Sequence, residues 1–361
     1  MIFACSPRRR ATRSAVLILL TLAASSVAAA QPTAATPAPT NAIAPASPET
    51  RAALDAIAQE AAELPALRTL IVTQHGQPLL ERAYQGANLD TPVNIKSASK
   101  SIISAMVGRA IAEGLISGVD SSIRPLLSKR LPADANPRLG EITVEDLLTM
   151  RAGLARTSGS NYGRWVASRN WVSYAVSQPF VDEPGGNMLY STGSSHLLSA
   201  ILTDASGRST RVLAREWFGD SLGMEIGGWD RDPQGIYLGG NNMAISPRAL
   251  LRFGEMMRNG GTAQGQQVVP ESYIDASWQP RTHSPFTGHD YGYGWFLTEA
   301  HGHPIRYAWG YGGQLLYIVP SLSLTVVMTS DPAQPSGRNG YAQQLHALLA
   351  ERIIPALAVS Q

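Results

Sequence analysis

The sequence predicts an α/β (α+β) fold in which an antiparallel sheet, formed from N- and C-terminal strands and flanked by helices, carries an inserted all-α subdomain. Alternating apolar runs lie near both ends of the chain, whereas the middle, at about 117–285, contains helix-length fragments rich in Gly, Asn and Arg. Strands at both ends with helices between them indicate one sheet completed by the two termini. The chain has 361 residues, 44% of them hydrophobic, which is enough apolar side chain for a large core.

The first 48 residues are predicted to precede the folded domain, which we assign to 49–361. Residues 1–30 carry four arginines, then a short apolar run and small residues, in the order of a cleaved signal peptide. The apolar run is too short for a stable membrane span. We therefore expect an exported protein, periplasmic or secreted, that starts near Gln31. Residues 31–48 are rich in Pro, Ala and Thr without an apolar period, which predicts a disordered linker.

Within the domain, the period of the apolar residues distinguishes helices from strands. Spacing typical of helices occurs at 49–64, 97–116, 143–150, 194–205, 247–260 and near 341–354. Alternation typical of strands occurs at 68–76, 77–86, 291–298, 305–309, 314–320 and 324–330. We expect the first two strands to form a hairpin around a His75-Gly76 turn, and Thr143 to cap the third helix.

Charge and histidine spacing favour a small-molecule substrate over other partners. A formal net charge of +2, with no dense basic run outside the N-terminus, gives no reason to expect a nucleic-acid partner. The seven histidines lack H-E-x-x-H or similar spacing, so we expect neither a metal nor a cofactor. His289 and Asp290, directly before a strand, are weaker candidates for lining a substrate cleft, with an ordinary loop as the alternative.

The main chemical signal is a serine and a lysine three residues apart in NIKSASKSII (94–103). A serine that attacks an acyl carbon needs a base within hydrogen-bond reach. On a helix, Ser97 and Lys100 lie on one face, about 5–6 Å apart at Cβ. If Ser97 opens the helix, its backbone N–H is unpaired and can bind a developing oxyanion. The motif alone is weak, because a helix-capping serine and a solvated lysine would give the same pattern.

Two further segments strengthen this signal. In NMLYSTG (187–193), Tyr190 lies at a predicted turn. A tyrosine there can pass protons between nucleophile, lysine and leaving group, provided that a nearby cation lowers its pKa. A buried core tyrosine is the alternative. In YAWGYGGQLLYIVP (307–320), glycines precede a strongly patterned strand and would let a ligand approach the backbone, with a β-bulge or tight turn as the alternative.

With these three segments in order, the sequence resembles the serine β-lactamase and penicillin-binding-protein superfamily, which includes class C β-lactamases, D-alanyl-D-alanine carboxypeptidases, esterases and 6-aminohexanoate-dimer hydrolases. The resemblance extends from about 68 to 330. Other similar stretches are ITVEDLLTMRAGL (142–154), PGGNMLYSTGSSHLLSAIL (184–202), GGNNMAISPRALLRFGEMM (239–257) and YGYGWFL (291–297). The resemblance implies a β-lactamase/transpeptidase-like fold and a serine hydrolase that acts on an ester or amide through an acyl-enzyme.

The family's catalytic roles fall on residues of all three segments. The resemblance implies that Ser97 is the nucleophile, Lys100 its general base and Tyr190 the proton relay. The oxyanion hole would use the backbone N–H groups of Ser97 and Tyr311. An alternative register of the third segment replaces Tyr311 with Gly313.

Two departures from the family's pattern concern substrate binding. Thr192 stands where the Y-x-N or Y-x-S motif has Asn or Ser. The K-T-G motif falls on Ala308, Trp309 and Gly310, so its lysine is absent. Thr192, Trp309 and Gly310 are the candidate substrate-binding residues. Without the lysine that holds a substrate carboxylate, we expect weak turnover of penicillins and D-alanyl-D-alanine peptides, unless Arg306, on the same strand face as Ala308, replaces it.

Two other functions stay open on the sequence alone. A catalytically silent protein of the same fold could bind a cell-wall ligand without turnover, although the retention of the serine, the lysine and the tyrosine argues against this. The chain could also be a D-alanyl carboxypeptidase or a β-lactamase. The sequence leaves open the natural acyl group and the leaving group.

Overall fold

An eight-stranded antiparallel sheet forms the centre of the molecule, in a computed structural model that describes residues 47–335 and 340–358. The strands are β1 (Leu67–Gln74), β2 (Gln77–Ala83), β3 (Val93–Asn94), β4 (Ala244–Ile245), β5 (Thr262–Ala263), β6 (Gln266–Gln267), β7 (Thr282–His283), β8 (Asp290–Tyr291), β9 (Phe296–Ala300), β10 (His303–Gly310), β11 (Gln314–Val319) and β12 (Leu324–Ser330). The sheet has the order β2-β1-β12-β11-β10-β9-β8-β7, while β3 pairs with β4 and β5 with β6 outside it.

Most helices lie between the N-terminal and the C-terminal strands of the sheet. They are α1 (Pro48–Ala62), α2 (Ser99–Ala112), α3 (Ile123–Leu126), α4 (Val144–Leu148), α5 (Tyr162–Val166), α6 (Trp171–Val176), α7 (Thr192–Ser206), α8 (Thr210–Ala214), α9 (Asp220–Leu222), α10 (Pro247–Arg258), α11 (Glu271–Ser277), α12 (Tyr341–Ala347) and α13 (Ile354–Ala358). A π-helical segment, Leu348–Ile353, joins α12 to α13. None of the described helices is both long and apolar enough to cross a bilayer.

The sheet joins the two ends of the domain, as the sequence predicts. β1 pairs with its hairpin partner β2 on one side and with β12 on the other, where Leu70 is opposite Met328. His75 and Gly76 both have positive φ, 50° and 74°, which is the backbone that a tight two-residue hairpin turn requires. The predicted hairpin and its turn are therefore confirmed.

Each face of the sheet is covered by its own apolar layer. On one face, Leu316 of β11 belongs to a buried cluster with Ile102 of α2, Leu197 of α7 and other residues of the helical region. On the other face, Val326 of β12 belongs to a second cluster with Leu54 of α1 and residues of the C-terminal helices. Burial on both faces explains why the central strands are apolar at nearly every position.

Three boundaries differ from the sequence prediction. The first helix begins at Pro48 with Ser47 as its N-cap, so the end of the predicted linker belongs to the folded domain, whereas residues 1–46 lie outside the described residues. The predicted strand at 291–298 is two strands, because the chain turns at Gly294, where φ is 77°. The inserted helical region predicted at about 117–285 is mainly helical but also contains the short strands β4, β5, β6 and β7.

Thr143 caps α4, as its sequence position predicts. Its hydroxyl accepts a hydrogen bond from the Asp146 N–H at 3.1 Å, and the Asp146 carboxylate accepts one from the Thr143 N–H at 2.9 Å. This reciprocal capping box satisfies two backbone donors that the start of a helix otherwise leaves unpaired. Asp146 is buried, so its carboxylate depends on these donors.

We predict that Thr143→Ala lowers the free energy of unfolding by about 1 kcal/mol, because it removes the cap and leaves Asp146 short of a donor. Thr143→Ser keeps the hydroxyl and serves as the matched control. Urea denaturation at neutral pH measures both variants. Equal stability of the alanine and serine variants would contradict the capping role.

Candidate active site

A cleft of about 1100 Å³ opens where the end of β10 meets the N-termini of α2 and α7. Ser97, Tyr190 and Thr192 line it together with Trp309 and Tyr311, although they come from three distant parts of the sequence. Six of the lining residues are aromatic, and none is Asp or Glu, within the part of the chain that the structure describes. The fold therefore brings the three predicted motif segments to one cavity.

Ser97 lies in a 3-10 turn, Lys96–Ala98, that leads directly into α2. The preceding residue, Lys96, has a positive φ of 51°, an uncommon backbone for a residue with a side chain and one that often marks functional sites. Gly310 packs against this turn so closely that a Cβ there would lie 2.2 Å from the Ile95 carbonyl oxygen. Among the described residues, no acceptor contacts the Ser97 N–H. This N–H is available to a ligand.

Lys100 is buried one helical turn beyond the serine. Its Nζ lies 3.0 Å from Ser97 Oγ and donates to the Gly240 carbonyl at 2.7 Å. It forms no ion pair with a carboxylate in the described part of the chain. Because burial disfavours the charged ammonium, the pKa of Lys100 falls to about 7. Near neutral pH, a large fraction of this amine is therefore unprotonated and able to accept the Ser97 proton.

The Gly240 carbonyl is held in place by α7. Ser195 Oγ donates to the Gly239 carbonyl at 2.9 Å, and the Gly239 N–H donates to His196 Nδ1 at 3.4 Å. His196 is itself fully buried and paired with Asp232 at 3.2 Å. A Cβ at Gly240 would lie 2.4 Å from Lys100 Cγ, so only glycine allows this approach. No sequence motif had pointed to this support.

Tyr190 is the third group at the nucleophile. It lines the cleft beside Ser97, whose side chain is close enough to lower the pKa of the phenol, and Lys100 Nζ lies 5.0 Å from its ring centroid. The expectation that a cation lowers the pKa of Tyr190 is wrong, because burial raises that pKa to about 12. The phenol therefore stays protonated near neutral pH and does not act as the resting base.

Thr192 links this group to the wall of the cleft. Its Oγ1 accepts from Lys100 Nζ at 3.4 Å and lies 3.0 Å from Ser158 Oγ, while its N–H donates to the same Ser158 oxygen at 2.8 Å. Thr192 is nearly fully buried. Of the three candidate substrate-binding residues, Thr192 and Trp309 line the cleft, whereas Gly310 packs beneath it against the nucleophile turn.

The structure distinguishes Tyr311 from Gly313 as candidates for the second oxyanion donor. Gly313 donates its N–H to the Gly310 carbonyl at 3.2 Å, and a Cβ there would point at buried Leu345. Tyr311 lines the cleft, and no acceptor contacts its N–H among the described residues. The geometry therefore favours the Tyr311 register over Gly313.

The structure does not support the alternative in which Arg306 replaces the missing K-T-G lysine. Arg306 does not enter the cleft. It lines a second surface cavity together with His289 and Asp290, and its guanidinium lies 6.0 Å from the Trp278 ring centroid. The strand alternation had placed Arg306 correctly on the Ala308 face, but that face points away from the cleft. Two cations that the sequence analysis had not considered, Lys96 and Arg156, line the cleft instead.

A metal-binding cluster is not found among the described residues, where no three His, Cys, Asp or Glu side chains are grouped suitably for an ion.

A comparison with protein-family profiles identifies one family for this chain. The sequence profile of the Beta-lactamase family matches residues 54–351, which is most of the chain. No curated protein sequence matches the chain significantly.

Solved structures similar to this one include three hydrolases of this architecture. A candidate 6-aminohexanoate-dimer hydrolase from Bacillus anthracis superposes with a TM-score of 0.69 at 20% identity, covering 84% of this chain and 82% of its own. EstCE1, a hydrolase with promiscuous acyltransferase activity, has a TM-score of 0.68 at 17% identity, covering 86% and 98%. A class C β-lactamase from Rhodobacter sphaeroides has a TM-score of 0.62 at 18% identity, covering 85% and 100%. At these identities the likeness establishes the fold.

We predict that the rate at which a fluorophosphonate labels the protein follows the ionisation of Lys100. Below about pH 7 the base is protonated, so the rate should fall about tenfold per pH unit, and above pH 7 it should reach a plateau. The plateau should persist to pH 10, since Tyr190 is still protonated there. Lys129→Arg, at an exposed lysine, is the control and should leave the profile unchanged. A midpoint near pH 4 or pH 10 would contradict this account.

Proposed function

Because this chain belongs to the β-lactamase family of serine hydrolases, we propose that it hydrolyses a small ester or amide substrate through an acyl-enzyme on Ser97. The observation that carries this proposal is the buried, carboxylate-free Lys100, whose Nζ lies 3.0 Å from Ser97 Oγ. A lysine with a pKa of about 7 can accept the serine proton at a neutral working pH.

In the proposed acylation step, Lys100 Nζ takes the proton of the Ser97 hydroxyl while Oγ bonds to the substrate's acyl carbon. The carbonyl oxygen becomes an oxyanion, which the free N–H groups of Ser97 and Tyr311 bind. The lysine proton then passes through the Tyr190 hydroxyl to the leaving alcohol or amine as the bond to it breaks. Tyr190 thus acts as a relay that gives one proton and receives another.

In the proposed deacylation step, water attacks the acyl carbon of the ester on Ser97. Its proton returns through Tyr190 to Lys100, the same oxyanion donors act again, and the acid product leaves as Ser97 regains its hydrogen. The burial that lowers the pKa of Lys100 also makes its ammonium form a ready proton donor to the departing Ser97 oxygen. EstCE1, a hydrolase of this fold with promiscuous acyltransferase activity, supports an intermediate of this kind.

The alternative of a catalytically silent binding protein has less support. A binding protein has no need of a desolvated lysine, which costs free energy to bury, nor of two backbone N–H groups left without acceptors at one cavity. Silent binding would leave these features unexplained.

We also propose that the protein is exported, with a mature chain that starts near Gln31. This proposal rests on the order of the basic, apolar and small residues in 1–30, which lie outside the described part of the chain.

We predict that Ser97→Ala abolishes fluorophosphonate labelling and lowers kcat/KM for p-nitrophenyl butyrate by several orders of magnitude, since nucleophile and base act as a unit. Tyr190→Phe should keep labelling but lower kcat/KM about 10²–10⁴-fold, the range for one acid–base group. Ser128→Ala, at an exposed serine, is the control and should retain wild-type rates. Full labelling and turnover by the Ser97→Ala protein would refute the proposed nucleophile.

We predict that kcat/KM for a chromogenic cephalosporin is lower than for p-nitrophenyl butyrate. The family's K-T-G lysine is replaced by buried Ala308, Trp309 adds an apolar ring beside it, and Arg306 faces another cavity. Losing one charge-assisted hydrogen bond costs roughly 1.5–3 kcal/mol, or one to two decades in rate. Steady-state kinetics of both substrates on one preparation measures this. A cephalosporin value at or above that of the ester would contradict the prediction.

A further inference from the structure

We propose that the cleft takes substrates that carry a carboxylate remote from the scissile bond, and that Arg156 binds this carboxylate. The inference rests on the proposed acyl-enzyme hydrolysis, because it names the class of substrate for the same cleft. Arg156 is thus proposed as a specificity-determining residue.

The charge of the cleft favours an anion. Lys96 and Arg156 line it, and no Asp or Glu does, within the described part of the chain. The remaining walls are largely aromatic. In a cleft with low-dielectric walls and charges of one sign, the field is focused and attracts an opposite charge. A cationic or zwitterionic group near these walls would be disfavoured.

Arg156 is the cation whose charge is least compensated. Its guanidinium lies 5.2 Å from the ring centroid of Phe286, and no carboxylate or other hydrogen-bond acceptor contacts its side chain among the described residues. A guanidinium that stacks on a ring face keeps the N–H groups at its edge free. These N–H groups can bind a carboxylate in the bidentate manner that arginine favours.

The second cation, Lys96, is already engaged. Its Nζ lies 3.4 Å from the Asn242 side-chain oxygen, and the Asn242 amide donates to the Asp230 carboxylate at 2.7 Å. Lys96 is therefore connected to an acidic group through Asn242, whereas Arg156 contacts only an aromatic ring.

The two residues that follow Arg156 are hydrogen-bonded to the segment that carries Tyr190. The Thr157 N–H donates to Ser191 Oγ at 3.1 Å, and Ser158 Oγ accepts from the Thr192 N–H at 2.8 Å. The backbone next to Arg156 is thus anchored beside Thr192 on the wall of the cleft. A bound carboxylate would lie on this wall, separate from the Trp309 wall where the family's K-T-G lysine would stand.

Phe286 completes the subsite at the mouth of the cleft. It is 59% exposed, although its loop is closed by the Ser284 N–H donating to the His289 carbonyl at 2.8 Å. Phe286 also lines the cleft, with its ring beside the Arg156 guanidinium. The ring offers an apolar contact to the chain that joins the carboxylate to the acyl carbon.

The test compares matched substrates that differ only in the carboxylate. The pair mono-p-nitrophenyl adipate and p-nitrophenyl hexanoate places the charge on the acyl half, and the pair 3-carboxyphenyl butyrate and phenyl butyrate places it on the alcohol half. We expect Arg156→Gln to lower kcat/KM for the anionic member of one pair about 10- to 100-fold, mainly through KM, while both neutral esters stay within twofold.

Two control variants keep this result specific. Arg164→Gln removes an exposed arginine of α5 outside the cleft and should leave kcat/KM unchanged for the anionic and the neutral esters. Arg156→Glu should reduce turnover of the anionic ester further than the glutamine variant. The assignment would be overturned if Arg156→Gln lowered kcat/KM equally for the charged and the neutral ester, or left the ratio of the two values unchanged. It would also be overturned if only Lys96→Gln abolished the preference for the charged ester.

Failure of the hydrolase proposal would be visible separately. If the wild-type protein hydrolyses none of the four esters, the proposed function fails, and the subsite is judged by calorimetric binding of 4-phenylbutyrate against 4-phenylbutyramide. Tighter binding of the carboxylate that is lost in Arg156→Gln would support the subsite alone, and equal binding of the two compounds would refute it.

Discussion

The burial of Lys100 without a carboxylate partner is the constraint on which the rest of the site depends. An ammonium in this position is costly, because the surrounding groups offer only neutral acceptors: the Gly240 carbonyl, the Thr192 hydroxyl and Ser97 itself. Each acceptor comes from a different segment, and all three must converge on one nitrogen. Gly239, next to Gly240, is hydrogen-bonded to buried His196, which is paired with Asp232, so residues of the helical region also hold this segment in place.

The sheet supplies the second half of the arrangement. Because β1 and β12 join the ends of the domain, β10 is held in the middle of the sheet, and its last residue, Gly310, packs directly on the Ser97 turn. Two free N–H groups, of Ser97 and Tyr311, then face one cavity. The proposed nucleophile, its proposed base, a protonated phenol and two free N–H groups are thus grouped at one cavity.

The parts that the sequence could predict are those with a local signature. The hairpin turn at His75, the Thr143 cap and the Ser97 and Lys100 spacing depend on neighbours within four residues. The sequence could not show that Gly240 holds the lysine, that burial raises the pKa of Tyr190, or that Arg156 rather than Arg306 lines the cleft. Those features depend on contacts between segments far apart in the chain, and on the direction in which one face of β10 points.

The ionisation of Lys100 tests this account most directly, and the chain has only two other lysines, Lys96 and Lys129, to distinguish from it. We would follow the Cε chemical shifts of ¹³C-labelled lysine by NMR from pH 5 to 11, with Lys96→Arg and Lys129→Arg variants for assignment. The account predicts that the Lys100 signal titrates near pH 7, well below the usual range of lysine near 10.4. A Lys100 signal that stays in its ammonium position up to pH 10 would contradict it.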